Sequence, residues 1–245
     1  MNARAIILAA GRGSRMQSLS AGQPKCLVEV RGKALLQWQI DALRAGGIAE
    51  IAIVTGYRRE MLVAAGLVEF HNPRWAETNM VASLECARPW LEETPCIVSY
   101  SDIFYGCAAV ESLLRCEAPL AVTYDPNWRL LWERRFSDPL DDAETFRLDA
   151  RSNLAELGAK PTALDDIEGQ YMGLLRFTPA GWREVVRIRE QLENDERDGM
   201  HMTGTLRRVI AANRLAIAAI PYFGAWGEVD SERDLAVYEV GERDL

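Results

Sequence analysis

The order of apolar runs in this chain predicts an α/β fold built on a mostly parallel sheet. Short apolar, partly β-branched runs at residues 5–8, 48–55 and 95–100 read as buried strands. Helical spacing separates them, as at Leu35, Leu36, Ile40 and Leu43. Strands that alternate with helices argue for parallel pairing, because a parallel partner needs a crossover that a helix supplies.

In order, a strand at 5–8 is followed by a helix at 34–45, which Gly46-Gly47 ends as a C-cap would. A second strand covers 48–55, and 56–60 opens the next helix. A short strand at 67–70 stops at His71-Asn72-Pro73. Thr78 or Asn79 caps a helix over 80–91, and a strand at 95–100 ends at Ser101-Asp102. A helix at 106–115 and a strand at 119–124 follow. Trp128, Trp132 and Phe136 fall at helical spacing before Pro139. Residues 144–148 and 154–157 suit a hairpin, and 167–177 a long strand. Helices at 179–192 and 203–212 flank a polar connector at 193–199. A last strand covers 215–220 and a last helix 231–240. With no repeat or linker, the expected organisation is one domain over 1–245. Its nucleotide-binding part is about 1–118, its acceptor part about 119–225, and its closing segment 226–245.

Composition narrows the function. The net charge of −8 disfavours general nucleic-acid binding. No apolar run approaches the roughly 20 residues that span a bilayer, and the start has no signal-peptide layout. Five cysteines without C-x-x-C spacing and only two histidines make zinc unlikely and fit a reduced, cytoplasmic setting. Only Lys25, Lys33 and Lys160 are lysines among 28 basic residues, a bias that GC-rich coding explains, although arginine cannot replace a compact ammonium at every site.

The chemistry concentrates in Leu8-Ala9-Ala10-Gly11-Arg12-Gly13-Ser14-Arg15-Met16, with Pro24-Lys25 downstream. Small residues after a buried strand expose backbone N–H groups, which form an anion-binding concavity. Arg15 and Lys25 add positive charge. A P-loop is absent, and Met16 stands where a dinucleotide fingerprint needs its third glycine. The stretch therefore reads as a nucleoside-triphosphate site or, alternatively, as an ordinary turn.

This signature resembles that of the sugar-nucleotidyltransferase-like superfamily, whose members couple a nucleoside triphosphate to a phosphorylated small molecule and release pyrophosphate. The resemblance implies a Rossmann-like three-layer αβα fold with a mixed, mostly parallel central sheet. It also implies that Arg15 and Lys25 are catalytic and that Asp102 and Asp230 hold Mg²⁺. Asp230 lies in Glu228-Val229-Asp230-Ser231-Glu232-Arg233-Asp234-Leu235. Without the resemblance, Asp102 reads equally as a turn residue and Asp230 as part of a helix N-cap. Arg15 would neutralise the β- and γ-phosphates, and Lys25 would orient the attacking phosphate or the α-phosphate.

The segment Glu77-Thr78-Asn79-Met80-Val81-Ala82-Ser83 is similar to one in bacterial phosphocholine cytidylyltransferases. That similarity implies that Asn79 and Ser83 face cytosine; the alternative is that Asn79 only caps a helix. Leu8, Ala9, Ala10, Gly11, Gly13, Gly56 and Tyr57 complete the expected nucleotide set. For the acceptor, Tyr124, Trp128, Trp132 and Tyr171 are candidate walls, since aromatic faces hold a quaternary ammonium. Asp125, Asp141 or Glu168 offers a carboxylate nearby, although the tryptophan stripe reads equally as core. Further stretches, among them Ile167-Glu168-Gly169-Gln170-Tyr171-Met172-Gly173-Leu174, resemble cytidylyltransferases that act on phosphorylated glutamine. Such an acceptor carries a carboxylate, for which Arg135 or Lys160 would serve.

The expected partners are CTP and a small phosphorylated acceptor, without nucleic acid or membrane insertion; assembly as a homodimer is left open. The expected product is a CDP-activated compound for surface-polysaccharide decoration. Rival readings are a sugar-1-phosphate nucleotidyltransferase and a non-catalytic nucleotide-binding module.

Overall fold

The structure, a computed structural model, describes residues 3–13, 22–63 and 66–240. The chain enters on β1 (Arg4–Ala9) and forms a small antiparallel ribbon, β2 (Glu29–Val30) with β3 (Lys33–Ala34), before helix α1 (Leu35–Ala45). Strands β4 (Ile51–Thr55) and β5 (Val68–His71) precede helices α2 (Met80–Glu85) and α3 (Arg88–Glu93). Then come β6 (Cys96–Tyr100), β7 (Ile103–Tyr105), α4 (Cys107–Arg115), β8 (Leu120–Asp125) and α5 (Trp128–Arg135). A hairpin, β9 (Phe146–Leu148) with β10 (Leu154–Leu157), leads to β11 (Gln170–Phe177). Helices α6 (Pro179–Glu190), α7 (Asn194–Gly199) and α8 (Met202–Ala212) follow. Strands β12 (Ile217–Pro221) and β13 (Trp226–Glu228) and helix α9 (Glu232–Val240) complete the described chain.

Seven strands form the central sheet in the order β12-β8-β11-β6-β1-β4-β5. Only β11 runs antiparallel to its neighbours, so the sheet is mixed and mostly parallel. Alternation along β1 decides the layers. Ala5, Ile7 and Ala9 join one core with Leu36, Ile40 and Leu43 of α1 and Val110 and Leu113 of α4. Ile6 and Leu8 join the opposite core with Val81 and Leu84 of α2, Trp182 and Val185 of α6 and Leu206 and Val209 of α8. Helices thus cover both faces, as a sheet apolar on both sides requires.

Four local expectations change. Residues 56–60 do not open an α-helix. Arg58 takes left-handed backbone angles, and only a single 3₁₀ turn follows at Arg59–Met61. The expected helix at 80–91 is two short helices. A continuous helix would need an N–H from Pro89 to the carbonyl of Glu85, and proline has none. The polar connector contains α7, whose Asp195 and Glu196 in the first turn and Arg197 in the last complement the helix dipole. The long strand starts at Gln170, and its register against β8 shifts between Tyr171 and Leu175. Gly173 sits in that irregularity with φ +77°, a conformation glycine adopts without strain, and a Cβ there would meet Tyr100 at 2.8 Å. Residues 170–173 consequently line the cavity described next.

Candidate active site

The C-terminal ends of β1 and β6 meet at the centre of the sheet, where an open α/β sheet places its ligand crevice. A cavity of about 490 Å³ occupies that edge. Leu8, Ala10, Gly11 and Gly13 form one wall. The neighbouring loop is clamped to this wall: Tyr57 donates its backbone N–H to the Ala10 carbonyl at 2.9 Å. Gly56 allows the close approach, since a Cβ there would lie 2.6 Å from both the Ala10 carbonyl oxygen and Trp75. Gly56 and Tyr57 therefore support the wall from behind and are not among the lining residues. Ala9 is not among the lining residues and packs in the core shared with α1 and α4. Arg15 lies outside the described residues.

Lys25 opens a 3₁₀ turn after Pro24 and is buried at 8% exposure. Its ammonium donates to Asp102 Oδ2 at 2.9 Å and to Asp230 Oδ1. Burial alone would push this lysine down, but the two carboxylates hold it well above the ordinary lysine range. A short ribbon explains the meeting of residues so far apart. Strand β7 pairs with β13 in the register Tyr105–Trp226, Phe104–Gly227 and Ile103–Glu228. One more bond, from Val229 N–H to the Asp102 carbonyl at 2.9 Å, sets Asp230 beside Asp102. Ser231 and Asp234 cap α9 reciprocally: Asp234 Oδ2 accepts from Ser231 N–H at 2.8 Å, and Ser231 Oγ accepts from Asp234 N–H at 3.3 Å. The Asp230 carboxylate is thus not the cap; it faces Lys25.

Carboxylate oxygens of Asp102, Glu228 and Asp230 lie within 4.8 Å of one another. Asp102 Oδ1 is buried without a hydrogen-bond partner among the described residues. Burial, and then the negative charges of Asp230 and Asp102, push the Glu228 carboxyl well above its ordinary range. An all-oxygen donor set with an orphaned carboxylate oxygen fits a hard divalent cation such as Mg²⁺. Glu228 was not singled out by its sequence, although its i, i+2 relation to Asp230 was a usable signal.

On the opposite wall, Asn79 and Ser83 both line the cavity. Asn79 caps α2, accepting from Met80 N–H at 2.7 Å. Ser83 is buried and accepts from the Asn72 side-chain amide at 3.0 Å. In the sequence, Asn72 reads only as a strand breaker. Its carbonyl oxygen in fact forms an Asx turn with Arg74 N–H while its amide also reaches Thr78.

The expected acceptor residues divide. Tyr171 and Trp132 line the cavity, Trp132 as a nearly inaccessible floor beside Trp226. Tyr124 is instead core, stacked on Phe146, and Trp128 is core, donating its indole N–H to the Ile167 carbonyl at 3.3 Å. Glu168 is exposed outside the cavity and accepts from Leu148 N–H. Lys160 is exposed with its ammonium on the Leu140 and Asp141 carbonyls. Arg135 is buried on Asp234. Asp125 accepts from the Trp226 indole at 2.8 Å. These side chains are committed to the fold, and the cavity is lined instead by Asp142, Glu144, Gln170 and Thr203. Burial raises the Glu144 carboxyl above its ordinary range. Acidic residues in a turn-rich stretch carry no signal for this placement.

Comparison with known proteins identifies the family and the fold. Residues 5–161 match the family model for the MobA-like NTP transferase domain. The chain is 38% identical over a 249-residue alignment to a CTP:phosphoglutamine cytidylyltransferase of Campylobacter jejuni, covering 95% of this chain and 98% of that protein. It is also 38% identical over 85 residues to a choline-phosphate cytidylyltransferase of Streptococcus pneumoniae, covering 33% of this chain and 37% of that one. The fold matches the inositol-1-phosphate CTP transferase of T. maritima with a TM-score of 0.74 at 19% identity, over 96% of this chain and 93% of that one. A loop-walled crevice and a lysine set between two carboxylates stand on this fold, and the chain belongs to the MobA-like NTP transferase family of nucleotidyltransferases.

Proposed function

We propose that this protein transfers CMP from CTP to a small phosphorylated acceptor bearing an amine, phosphorylated glutamine first among candidates, with release of pyrophosphate. The observation that carries the reading is Lys25 bridging Asp102 and Asp230 at the cavity edge of β1 and β6. An acceptor phosphate attacks the α-phosphorus in line, and pyrophosphate leaves. Because a phosphate monoester or phosphoramidate is already ionised near neutral pH, the residues need to supply position and charge compensation more than a base. Lys25 is assigned to the reacting phosphates, and a buried ammonium is worth more there than in water. Asp102, Glu228 and Asp230 would hold Mg²⁺, which when bound supplies further charge compensation between nucleotide and acceptor. Arg15 is assigned to the outer phosphates of CTP, and Asn79 and Ser83 to the cytosine.

Support for an amine-bearing acceptor comes from Asp142 and Glu144, two acidic residues that line the cavity. The full-length likeness to a phosphoglutamine enzyme points the same way. The product would be a CDP-activated compound made in the cytoplasm for surface-polysaccharide decoration. Among the described residues, no helix is long and apolar enough to cross a membrane.

The test is pyrophosphate release with each of four nucleoside triphosphates against phosphoglutamine, phosphocholine and hexose 1-phosphates, with and without Mg²⁺. The expected result is turnover with CTP and an amine-bearing acceptor only when Mg²⁺ is present. A purine preference overturns the base assignment, and turnover with hexose phosphates alone overturns the acceptor class. CTP binding without turnover on any acceptor overturns the enzymatic reading.

A further inference from the structure

We infer that Arg135 is a positioning residue for the acidic cluster, acting through Asp234 and Glu228. The inference rests on the metal reading proposed above, and its test separates the two. Arg135 ends α5, and its side chain has 0% exposure. Its Nε donates at 2.8 Å to Oδ1 of Asp234, 99 residues away in sequence. The other oxygen of Asp234 accepts from the Asp230 backbone N–H at 2.9 Å, from Ser231 N–H at 2.8 Å and from the Ser231 hydroxyl at 3.0 Å. Asp230 is therefore held through its own amide by a carboxylate that Arg135 orients. On its other side, Arg135 Nη1 lies 3.6 Å from Glu228 Oε2.

One buried cation thus touches both the strand end that carries Glu228 and the helix start that carries Asp230. The guanidinium lies over Trp132 and Phe136, 4.9 and 5.1 Å from their ring centres, which sets its depth. Neither terminal nitrogen has a hydrogen-bond partner among the described residues. An incompletely satisfied buried cation is a poor source of fold stability, because its desolvation is only partly offset. Its geometric effect is specific: without it, Asp234 is a buried anion lacking its counter-ion, and the carboxylate that accepts from Asp230 and Ser231 loses the group that orients it. Outer partners of metal-binding carboxylates characteristically act this way, by fixing the orientation of the groups that bind.

The experiment is Mn²⁺ binding to the full-length chain without nucleotide, followed by the electron paramagnetic resonance of free Mn²⁺. Arg135→Gln, Arg135→Lys, Asp234→Asn and the Arg135→Gln/Asp234→Asn double variant are compared with wild type. Circular dichroism checks folding. Arg189→Gln controls for general loosening, since Arg189 is another buried guanidinium, paired with Glu85. The expected result is weaker Mn²⁺ binding by about 10- to 100-fold in Arg135→Gln and in Asp234→Asn. The double variant should be no worse than the weaker single one, Arg135→Lys should recover part of the loss, and Arg189→Gln should bind as wild type. Folded Arg135→Gln and Asp234→Asn that bind Mn²⁺ like wild type overturn the positioning role. An equal loss in Arg189→Gln does so too. If Arg135→Gln does not fold, Asp234→Asn and Arg135→Lys decide the question. Absence of binding by wild type overturns the metal reading, and this inference with it.

Discussion

Lys25 Nζ lies 2.9 Å from Asp102 Oδ2, and the same ammonium reaches Asp230, so one buried cation ties the start of the chain to its middle and its end. Its replacement tests the chemistry most directly. Lys25→Met is expected to lower the rate of pyrophosphate release by about 10²- to 10³-fold, the usual loss for one preorganised electrostatic donor. Lys25→Arg is expected not to restore it, because a planar fork does not replace a point charge between two carboxylates. Single-turnover kinetics with CTP in excess measure the chemical step.

Asp102→Asn keeps the shape of the site and removes one charge from the cluster. Mg²⁺-dependent turnover should fall by more than the roughly 10- to 100-fold typical of an outer partner, while CTP is still bound. Near-normal turnover with unchanged Mg²⁺ dependence would remove Asp102 from the proposed ligand set. Steady-state kinetics across a Mg²⁺ titration, with calorimetry for CTP, give both numbers.

Asn79 has two separable roles, capping α2 and, as proposed, facing cytosine. Asn79→Ala should cost about 1 kcal/mol of stability through the lost cap and should also raise the KM for CTP. Asn79→Asp preserves the cap and exchanges a donor for an acceptor. It should leave the melting temperature close to wild type while still raising that KM. An unchanged KM in Asn79→Asp would leave the residue as a cap alone.

For the proposed acceptor contact, Glu144→Gln should raise the KM for an amine-bearing acceptor while leaving the KM for CTP within about twofold, since neutralising one partner weakens only the interaction it makes. Lys160→Met should change neither, because the Lys160 ammonium is held on the Leu140 and Asp141 carbonyls outside the cavity. An acceptor KM that moves in Lys160→Met and not in Glu144→Gln would reverse the assignment.

Acid should weaken the sheet edge. The Arg59 guanidinium beside Glu69 holds its carboxyl down to about 2 against an ordinary 4.5, with help from the Thr55 hydroxyl. A depressed carboxyl contributes stability that is fully present above pH 4.5 and is lost as the pH falls toward about 2. Urea unfolding midpoints of wild type and Glu69→Gln should therefore differ at pH 7 and converge across that interval. Arg59 is half-exposed, so salt should shrink the difference. A difference that persists at pH 2 would assign it to packing.

The sequence by itself determined the class of fold, the alternation of strand and helix, and the small-residue loop after β1. These are local properties: periodicity, β-branching and glycine placement act over a few residues. Through the family resemblance it also singled out Lys25, Asp102 and Asp230, three side chains that the structure brings together. Only the tertiary structure decided which acids share the site. Glu228 joins because the register of β7 against β13 sets it beside Asp102, and Gln170 lines the cavity beside the irregularity at Gly173. The same physics buries Trp128, Tyr124 and Arg135 in the core, outside the lining of the cavity. An aromatic stripe or an arginine carries no mark of whether its face will meet solvent, a ligand or another helix. Pairing register and layer packing join residues far apart in the chain, and no window of sequence encodes which ones meet.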